Sequence, residues 1–116
     1  MKIGELSRRC GVSIRMLRYY EAEGLLKPRR TETGYRDYGP EEEQCVERIK
    51  LLASSGMTLA TIKQFAGCIR AEGPVLEPCD ELRATLRDQL RLIDQKTEKL
   101  HRHRAVLERF IQDVES

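Results

Sequence analysis

The chain has 116 residues, of which 40% are hydrophobic and 34% are charged, and its formal net charge is +2. This length favours one compact domain with an appendage, and the absence of Trp, with only 5% aromatic residues, argues against a large aromatic-lined pocket. No apolar run is long enough to cross a bilayer and the first residues lack the apolar core of a signal peptide, so we expect a cytoplasmic protein with no membrane partner.

Two short helices separated by a tight break are predicted at the start of the chain. Apolar residues recur at helical spacing over residues 3–10. Gly11 and Ser13 interrupt this pattern, because Gly suits a left-handed turn and Ser is a good N-cap. The second helix is predicted from about Ile14 to Glu23.

A β-hairpin is predicted after the second helix. Gly24 ends the helix and Pro28 begins an extended stretch. Thr33 and Gly34 suit the tip of a hairpin, and residues 35–38 alternate like a short strand. Several Arg residues border this hairpin.

Two further helices complete the predicted head. Pro40 is followed by three Glu residues and begins a helix, since Pro suits the first turn and acids favour the positive end of the helix dipole. Thr58 caps a fourth helix with an apolar stripe. Gly and Pro then interrupt the chain between residues 73 and 78. We predict a head domain over residues 1–72 and a dimerisation helix over residues 79–114.

The predicted tail helix carries a coiled-coil pattern. It contains no Gly or Pro, and its apolar residues follow alternating steps of four and three. Thr97 and Arg104 interrupt this seam, and polar positions of this kind tend to fix register and partner number. The alternative is a helix packed against its own head. The apolar seam positions are Leu86, Leu90, Ile93, Leu100, Leu107, Ile111 and Val114.

Charge and side-chain chemistry in the head favour DNA binding. Residues 1–38 contain nine Lys and Arg against five Asp and Glu (+4), whereas residues 39–116 contain twelve against fourteen (−2). Two helices and a hairpin form a winged helix-turn-helix, whose second helix fits the major groove. With Ile14 and Leu17 predicted to face the core, polar side chains of that helix face DNA. The candidate contacts are Ser13, Arg15, Arg18 and Tyr19 on the helix and Arg29, Arg30 and Arg36 on the hairpin.

Several short motifs carry a family resemblance. They are Ile3-Gly4-Glu5-Leu6, Gly11-Val12-Ser13, Leu17-Arg18-Tyr19-Tyr20-Glu21, Gly24-Leu25-Leu26 and Gly34-Tyr35-Arg36-Asp37-Tyr38. In this order and spacing they resemble the head of the MerR family over residues 2–70. The tail resembles the antiparallel dimerisation helix of that family in position and pattern.

The resemblance implies a mainly α fold, with a winged helix-turn-helix and a long antiparallel coiled-coil helix. It also implies a transcriptional regulator of a stress response that binds a promoter spacer as a homodimer. Such a regulator distorts double-stranded DNA so that RNA polymerase engages both promoter elements, and deformation then matters more than base contacts. The implied contacts are Ser13, Arg15, Arg18, Tyr19, Tyr20, Arg30, Tyr35 and Arg36, with Tyr38 as a further candidate. Core packing is an equal alternative for Tyr20 and Tyr38.

The signal that such a regulator would sense is left open by the sequence. Cys79 directly precedes the tail helix, where a helix N-terminus favours thiolate, and we predict it as a possible reactive thiol; the alternative is a packing residue at the seam. A lone Cys79 does not complete a soft-metal site, and nothing in the spacing favours His101 or His103 of a second subunit. No metal or cofactor is therefore predicted. Cys45 and Cys68 fall on or beside apolar stripes and are expected to be buried and inert.

Other functional classes fit the sequence less well. An enzyme is not expected, because the sequence contains no nucleophile–base pair, no pocket-forming carboxylate pair and no phosphate loop. The main alternative is an architectural DNA-bending protein of excisionase type, which shares this kind of head. Such a protein does not need a long tail with a seam.

Overall fold

A computed structural model describes residues 1–70 and 80–116. The chain divides into two units, Met1–Leu82 and Arg83–Ser116, which are described separately. The helices are α1 Ile3–Cys10, α2 Ile14–Ala22, α3 Pro40–Ser54, α4 Leu59–Lys63, α5 Ala66–Ile69 and α6 Asp80–Glu115, and the strands are β1 Arg29–Arg30 and β2 Arg36–Asp37. The predicted mainly α fold with a two-stranded hairpin and a long C-terminal helix is confirmed. The domain limits 1–72 and 79–114 stay a prediction, since residues 71–79 lie outside the described part.

The break between α1 and α2 has the geometry that its sequence predicts. Gly11 ends α1 in the left-handed region, at φ 67°, a conformation that L side chains rarely adopt. Its N–H donates to the carbonyl of Ser7 at 2.9 Å. The hydroxyl of Ser13 accepts the N–H of Met16 at 3.1 Å and so caps α2. These local bonds fix the direction in which α2 leaves α1.

A hydrophobic core holds the first unit together. α1 packs against α2 and α3, and α3 packs against α4 and α5. Each helix from α1 to α5 contributes a fully buried apolar side chain, and each such burial contributes about 1.5–3 kcal/mol. The aliphatic side chains with at most 1% exposure are Leu6, Leu17, Leu25, Leu26, Val46, Ile49, Ile62 and Ile69. Because this core covers one side of α2, the other side of that helix faces solvent.

The wing consists of β1, β2 and the turn between them. The strands are antiparallel, with Arg30 opposite Arg36. Gly34 lies in the turn at φ 88°, as the sequence predicts. The base of the wing is bonded to the start of the chain: the α-amino group of Met1 donates to the carbonyl of Tyr38 at 2.7 Å, and the N–H of Tyr38 donates to the carbonyl of Met1 at 2.8 Å.

The first turn of α2 lies outside the core. The prediction that Ile14 faces the core is wrong, because its side chain is 38% exposed. The core contacts α2 through Met16, Leu17 and Tyr20 instead. The apolar spacing identifies the helix, but the point at which the other helices begin to cover it depends on tertiary packing.

The predicted fourth helix is divided into α4 and α5. Phe65, between them, has φ −114° and ψ 22°, outside the helical range. Its N–H donates to the carbonyl of Ile62, three residues back, at 3.0 Å. This tighter turn accompanies a Phe65 side chain that is buried in the core. Packing of the ring therefore overrides the continuous helical pattern of the sequence.

The second unit is the part of α6 from Arg83 onward. All of the predicted seam residues are exposed in the single chain, from 38% at Leu86 to 83% at Val114. Arg104, at a polar seam position, pairs with Glu108 one turn along the same helix at 2.8 Å. An amphipathic helix gains most of its stability by covering its apolar face.

Cys45 makes the stability of the first unit sensitive to alkaline pH. Burial raises the pKa of its thiol from 9.0 to about 11, and the thiol donates to the carbonyl of Leu25 at 3.1 Å. The folded state holds this proton more tightly than the unfolded state. The resulting stabilisation is complete below pH 9 and is lost as pH rises through about 11. We expect the free energy of unfolding, measured by urea denaturation, to fall by on the order of 2 kcal/mol over this range.

Cys45→Ala is the matched control for this pH dependence. Burial also raises the pKa of Cys10, Tyr20 and Tyr38, so some decline in stability persists in the variant. The decline should nevertheless be shallower than in the unsubstituted protein. Equal steepness in both proteins would show that Cys45 does not contribute.

Candidate nucleic-acid interface

The N-cap and the exposed side of α2 carry four of the predicted contact residues. Ser13, Arg15, Arg18 and Tyr19 are all exposed, whereas Leu17 is fully buried. Within the part of the chain that the structure describes, neither Arg15 nor Arg18 forms an ion pair or a side-chain hydrogen bond. Their guanidinium groups are therefore available for a phosphate or a guanine edge.

Tyr20 belongs to the core, which corrects its assignment as a DNA contact. Its side chain is 6% exposed, and burial raises its pKa. The physical reason is its position three residues after Leu17, on the same side of the helix. Tyr38, for which core packing was also open, is 1% exposed. Both tyrosines therefore contribute to the packing of the head.

The tip of the wing presents Tyr35 and Arg30 to solvent. Tyr35 is 74% exposed. Arg30 donates to the carbonyl of Gly34 at 3.0 Å, which holds the side chain along the turn. Within residues 1–70 and 80–116 it pairs with no carboxylate. Arg29, in contrast, pairs with Glu41 of α3 at 3.2 Å. Arg30 is therefore the better candidate for a DNA contact of these two arginines.

Arg36 connects the wing to α2 through Glu21. Its Nε donates to Oε1 of Glu21 at 2.6 Å, and Oε2 of the same carboxylate accepts the hydroxyl of Tyr38 at 3.2 Å. The pKa of Arg36 is raised mainly by its hydrogen bond to Glu21 and secondly by the negative charge of Glu21. The Arg36 side chain is still 49% exposed. Its terminal nitrogens form no hydrogen bond with the described residues.

A cleft of about 1030 Å³ lies between α2, the wing and the first residues of the chain. Arg18 from α2 and Tyr35 and Arg36 from the wing line it, so three of the predicted contacts share one concave surface. The other five exposed candidates lie outside this cleft; they are Ser13, Arg15, Tyr19, Arg29 and Arg30. Basic side chains from two elements on one surface suit a phosphate backbone that passes between helix and wing.

Sequence reasoning missed the acidic residues that fix α2 to its neighbours. Besides Glu21, Glu23 pairs with Lys63 of α4. Neither pair follows from helical spacing, because the partners are 15 and 40 residues apart. The sequence signal that could have indicated the Glu21 contacts is the alternation of side chains along the wing strand, which places Arg36 and Tyr38 on the same face.

The cysteines give no assembled metal site in the described residues. Cys10 and Cys45 are buried, whereas Cys68, also expected to be buried, is half-buried. In residues 1–70 and 80–116, no three His, Cys, Asp or Glu side chains are grouped so as to hold a metal ion. Cys79 lies outside these segments, so its role as a reactive thiol stays a prediction.

Comparison with known proteins places this head in a family. The MerR HTH family regulatory protein pattern matches residues 1–66. The chain is 41% identical over 69 residues to the mercuric resistance operon regulatory protein of Bacillus cereus, covering 59% of this chain and 52% of that protein. It is 31% identical over 137 residues to the HTH-type transcriptional regulator YfmP of Bacillus subtilis, covering 99% and 98%. The match therefore spans about half of the first relative and nearly all of the second.

A solved structure extends the likeness to the fold. HiNmlR, a MerR family regulator lacking the sensor domain and bound to promoter DNA, superposes with a TM-score of 0.65 at 28% identity, over 91% of this chain and 82% of that chain. These comparisons give no support to the excisionase-type alternative. No helix in the described ranges is long and apolar enough to cross a membrane. With its matching head, wing and long C-terminal helix, the chain belongs to the MerR family of helix-turn-helix regulatory proteins.

Proposed function

We propose that this chain is a sequence-specific transcription regulator that binds a promoter spacer as a homodimer and distorts it. The observation that carries this proposal is that Arg15 and Arg18, on the exposed side of α2, form no ion pair with the described residues. The likeness to HiNmlR, a structure bound to promoter DNA, supports the same conclusion. The relatives it matches are named as regulators, and we propose no catalytic activity and no cofactor.

The proposed DNA contacts come from two elements. α2 enters the major groove, and the wing contacts the neighbouring phosphate backbone. The Ser13 hydroxyl accepts a bond as the N-cap, so its proton is available to a phosphate oxygen. The proposed contacts are Ser13 at the N-cap of α2, Arg15, Arg18 and Tyr19 on α2, and Arg30, Tyr35 and Arg36 on the wing.

The exposed seam of α6 supports the proposed homodimer. Seven apolar side chains at coiled-coil spacing stay exposed in the single chain, and a second copy of the same helix would cover them. We propose an antiparallel pair, in which Thr97 and Arg104 fix the register. Such a pair carries one head near each end and gives the complex two-fold symmetry.

Distortion of the spacer is the proposed route to control of transcription. A symmetric dimer holds two sites of one duplex, and the DNA between them can be bent or untwisted without a base contact. Bending a short site costs on the order of 1–6 kcal/mol, which the contacts of both heads offset. RNA polymerase, acting at the reshaped promoter, is the proposed protein partner, and a stress response is the proposed setting.

Selection from a pool of random duplexes tests this proposal. Purified protein is incubated with the pool, bound duplexes are recovered and sequenced, and a pool of random single strands serves as the control. We expect enrichment of an inverted repeat whose half-sites face the same side of the duplex. Enrichment of no sequence, or of single strands alone, would contradict the proposal.

A further inference from the structure

Glu21 has an unusual position for an acidic residue beside a DNA-binding surface. It lies on α2, three residues after Arg18, and it lines the cleft between α2 and the wing. Both of its carboxylate oxygens are used: one accepts from Arg36 and the other from Tyr38. Each donor belongs to the wing or directly follows it, so one side chain joins both sides of the cleft.

The position of the wing depends on a small number of contacts with the rest of the head. Its strands have two residues each, and an isolated two-stranded hairpin is at best marginally stable in water. All four strand residues are exposed. The attachments at its base are Tyr38, which is buried and bonded to Met1, and Asp37, which pairs with the α-amino group of Met1 at 2.8 Å. The others are the pair between Arg29 and Glu41 of α3 and the contacts of Glu21. Of these, Glu21 is the attachment that contacts a proposed DNA-binding arginine.

We infer that Glu21 is a positioning residue that sets the separation between the helix contacts and the wing contacts on DNA. It also orients Arg36: with Nε held by the carboxylate, the two terminal nitrogens of the guanidinium are left for a phosphate. This inference rests on the proposed DNA-binding function. Glu21 itself does not contact DNA.

The direction in which DNA affinity changes when the charge of Glu21 is removed distinguishes a positioning role from simple charge repulsion. A carboxylate close to DNA repels phosphates, so removal of its charge should tighten binding and steepen the salt dependence if charge alone matters. If Glu21 positions the wing, its removal should weaken binding although the net charge becomes more positive. The two roles therefore predict opposite changes in affinity.

The experiment measures binding of the full chain to the duplex enriched from the random pool. We expect Glu21→Ala to weaken binding about tenfold or more, the loss expected for a charge-assisted hydrogen bond. Protection of the backbone sugars from hydroxyl radicals should be lost in the flanking segment under the wing and retained under α2. Glu23→Ala is the matched control, because Glu23 lies two residues after Glu21, carries the same charge and pairs with Lys63 of α4 instead of with the wing. The affinity of this variant for the duplex should be unchanged or higher.

Two further variants separate the effect of side-chain length from the effect of charge, and a thermal measurement checks that each variant is folded. Glu21→Gln keeps an oxygen at the same reach and should recover part of the affinity and of the flanking protection. Glu21→Asp keeps the charge but is one methylene shorter, and it should behave like Glu21→Ala. Thermal unfolding of each variant verifies that the head is folded at the assay temperature.

The outcomes distinguish this inference from the proposed function. If the unsubstituted protein enriches no duplex, the proposed function itself fails. If it binds the selected duplex and folded Glu21→Ala binds equally well or more tightly with an unchanged footprint, the positioning role is wrong while the proposed function stands. Affinity lost in Glu21→Ala and partly recovered in Glu21→Gln supports the positioning role.

Discussion

Leu100→Asp is expected to separate the protein into monomers and to abolish binding to the selected duplex. Leu100 lies midway along the seam from Leu86 to Val114 and is 66% exposed in the single chain. In an antiparallel pair centred on the middle of this seam, the two copies of Leu100 come close together, so both new carboxylates would be buried near each other. An unpaired buried charge destabilises by about 3–5 kcal/mol, and a monomer also loses the gain in affinity that comes from joining two heads.

Gln95→Asp is the control for the Leu100 substitution. It adds the same charge to the same helix at an exposed position outside the seam, so the dimer and DNA binding should both be retained. Molecular mass is measured by light scattering over a range of protein concentrations. A Leu100→Asp protein that keeps the mass of a dimer at all of them would overturn the seam assignment.

Arg18→Ala is expected to weaken DNA binding strongly without unfolding the head. The side chain is exposed on α2 and lines the cleft, and within the described residues it has no ion-pair partner. A forked contact to guanine contributes about 1–3 kcal/mol, and a symmetric dimer loses it at both half-sites. If the contact is to phosphate, the loss appears as a shallower dependence of affinity on salt. Binding is measured by fluorescence anisotropy at several salt concentrations.

Arg102→Ala is the matched control for the loss of one positive charge. Arg102 is exposed on α6 and pairs within its own helix with Glu98 at 2.9 Å, which contributes little to stability. Affinity for the duplex should stay close to that of the unsubstituted protein. An equal loss in both variants would mean that Arg18 acts only through net charge, and unchanged affinity in Arg18→Ala would remove it from the interface.

The features of the fold that sequence predicts well are those fixed by neighbouring residues. The turn from Gly11 to Ser13 and the tip at Gly34 each depend on one backbone conformation or one cap, which the residue type dictates. Contacts between elements that are distant in the chain are harder to predict from the sequence. Tyr19 and Tyr20 are adjacent and chemically alike, and only the packing of α2 on the core decides that Tyr20 is buried. The two hydrogen bonds that Glu21 accepts from Arg36 and Tyr38 are long-range contacts of the same kind.

The candidate interface follows the same division. Residue type and helical position suffice to predict Arg15 and Arg18 as exposed, because a helix with one apolar side must present the other to solvent. Residue type does not separate Arg29, which pairs with α3, from Arg30, which does not. That distinction depends on where Glu41 comes to lie in the folded head.

The bend of the selected duplex tests the central claim most directly. A donor dye and an acceptor dye are placed at opposite ends of the duplex, and energy transfer is recorded while unsubstituted protein is added. Fluorescence anisotropy of a separate duplex that carries a single dye verifies that binding is saturated. The proposed mechanism predicts that the ends approach each other in step with binding and that the change saturates at one dimer per duplex. Saturated binding with no change in the distance between the ends would contradict it.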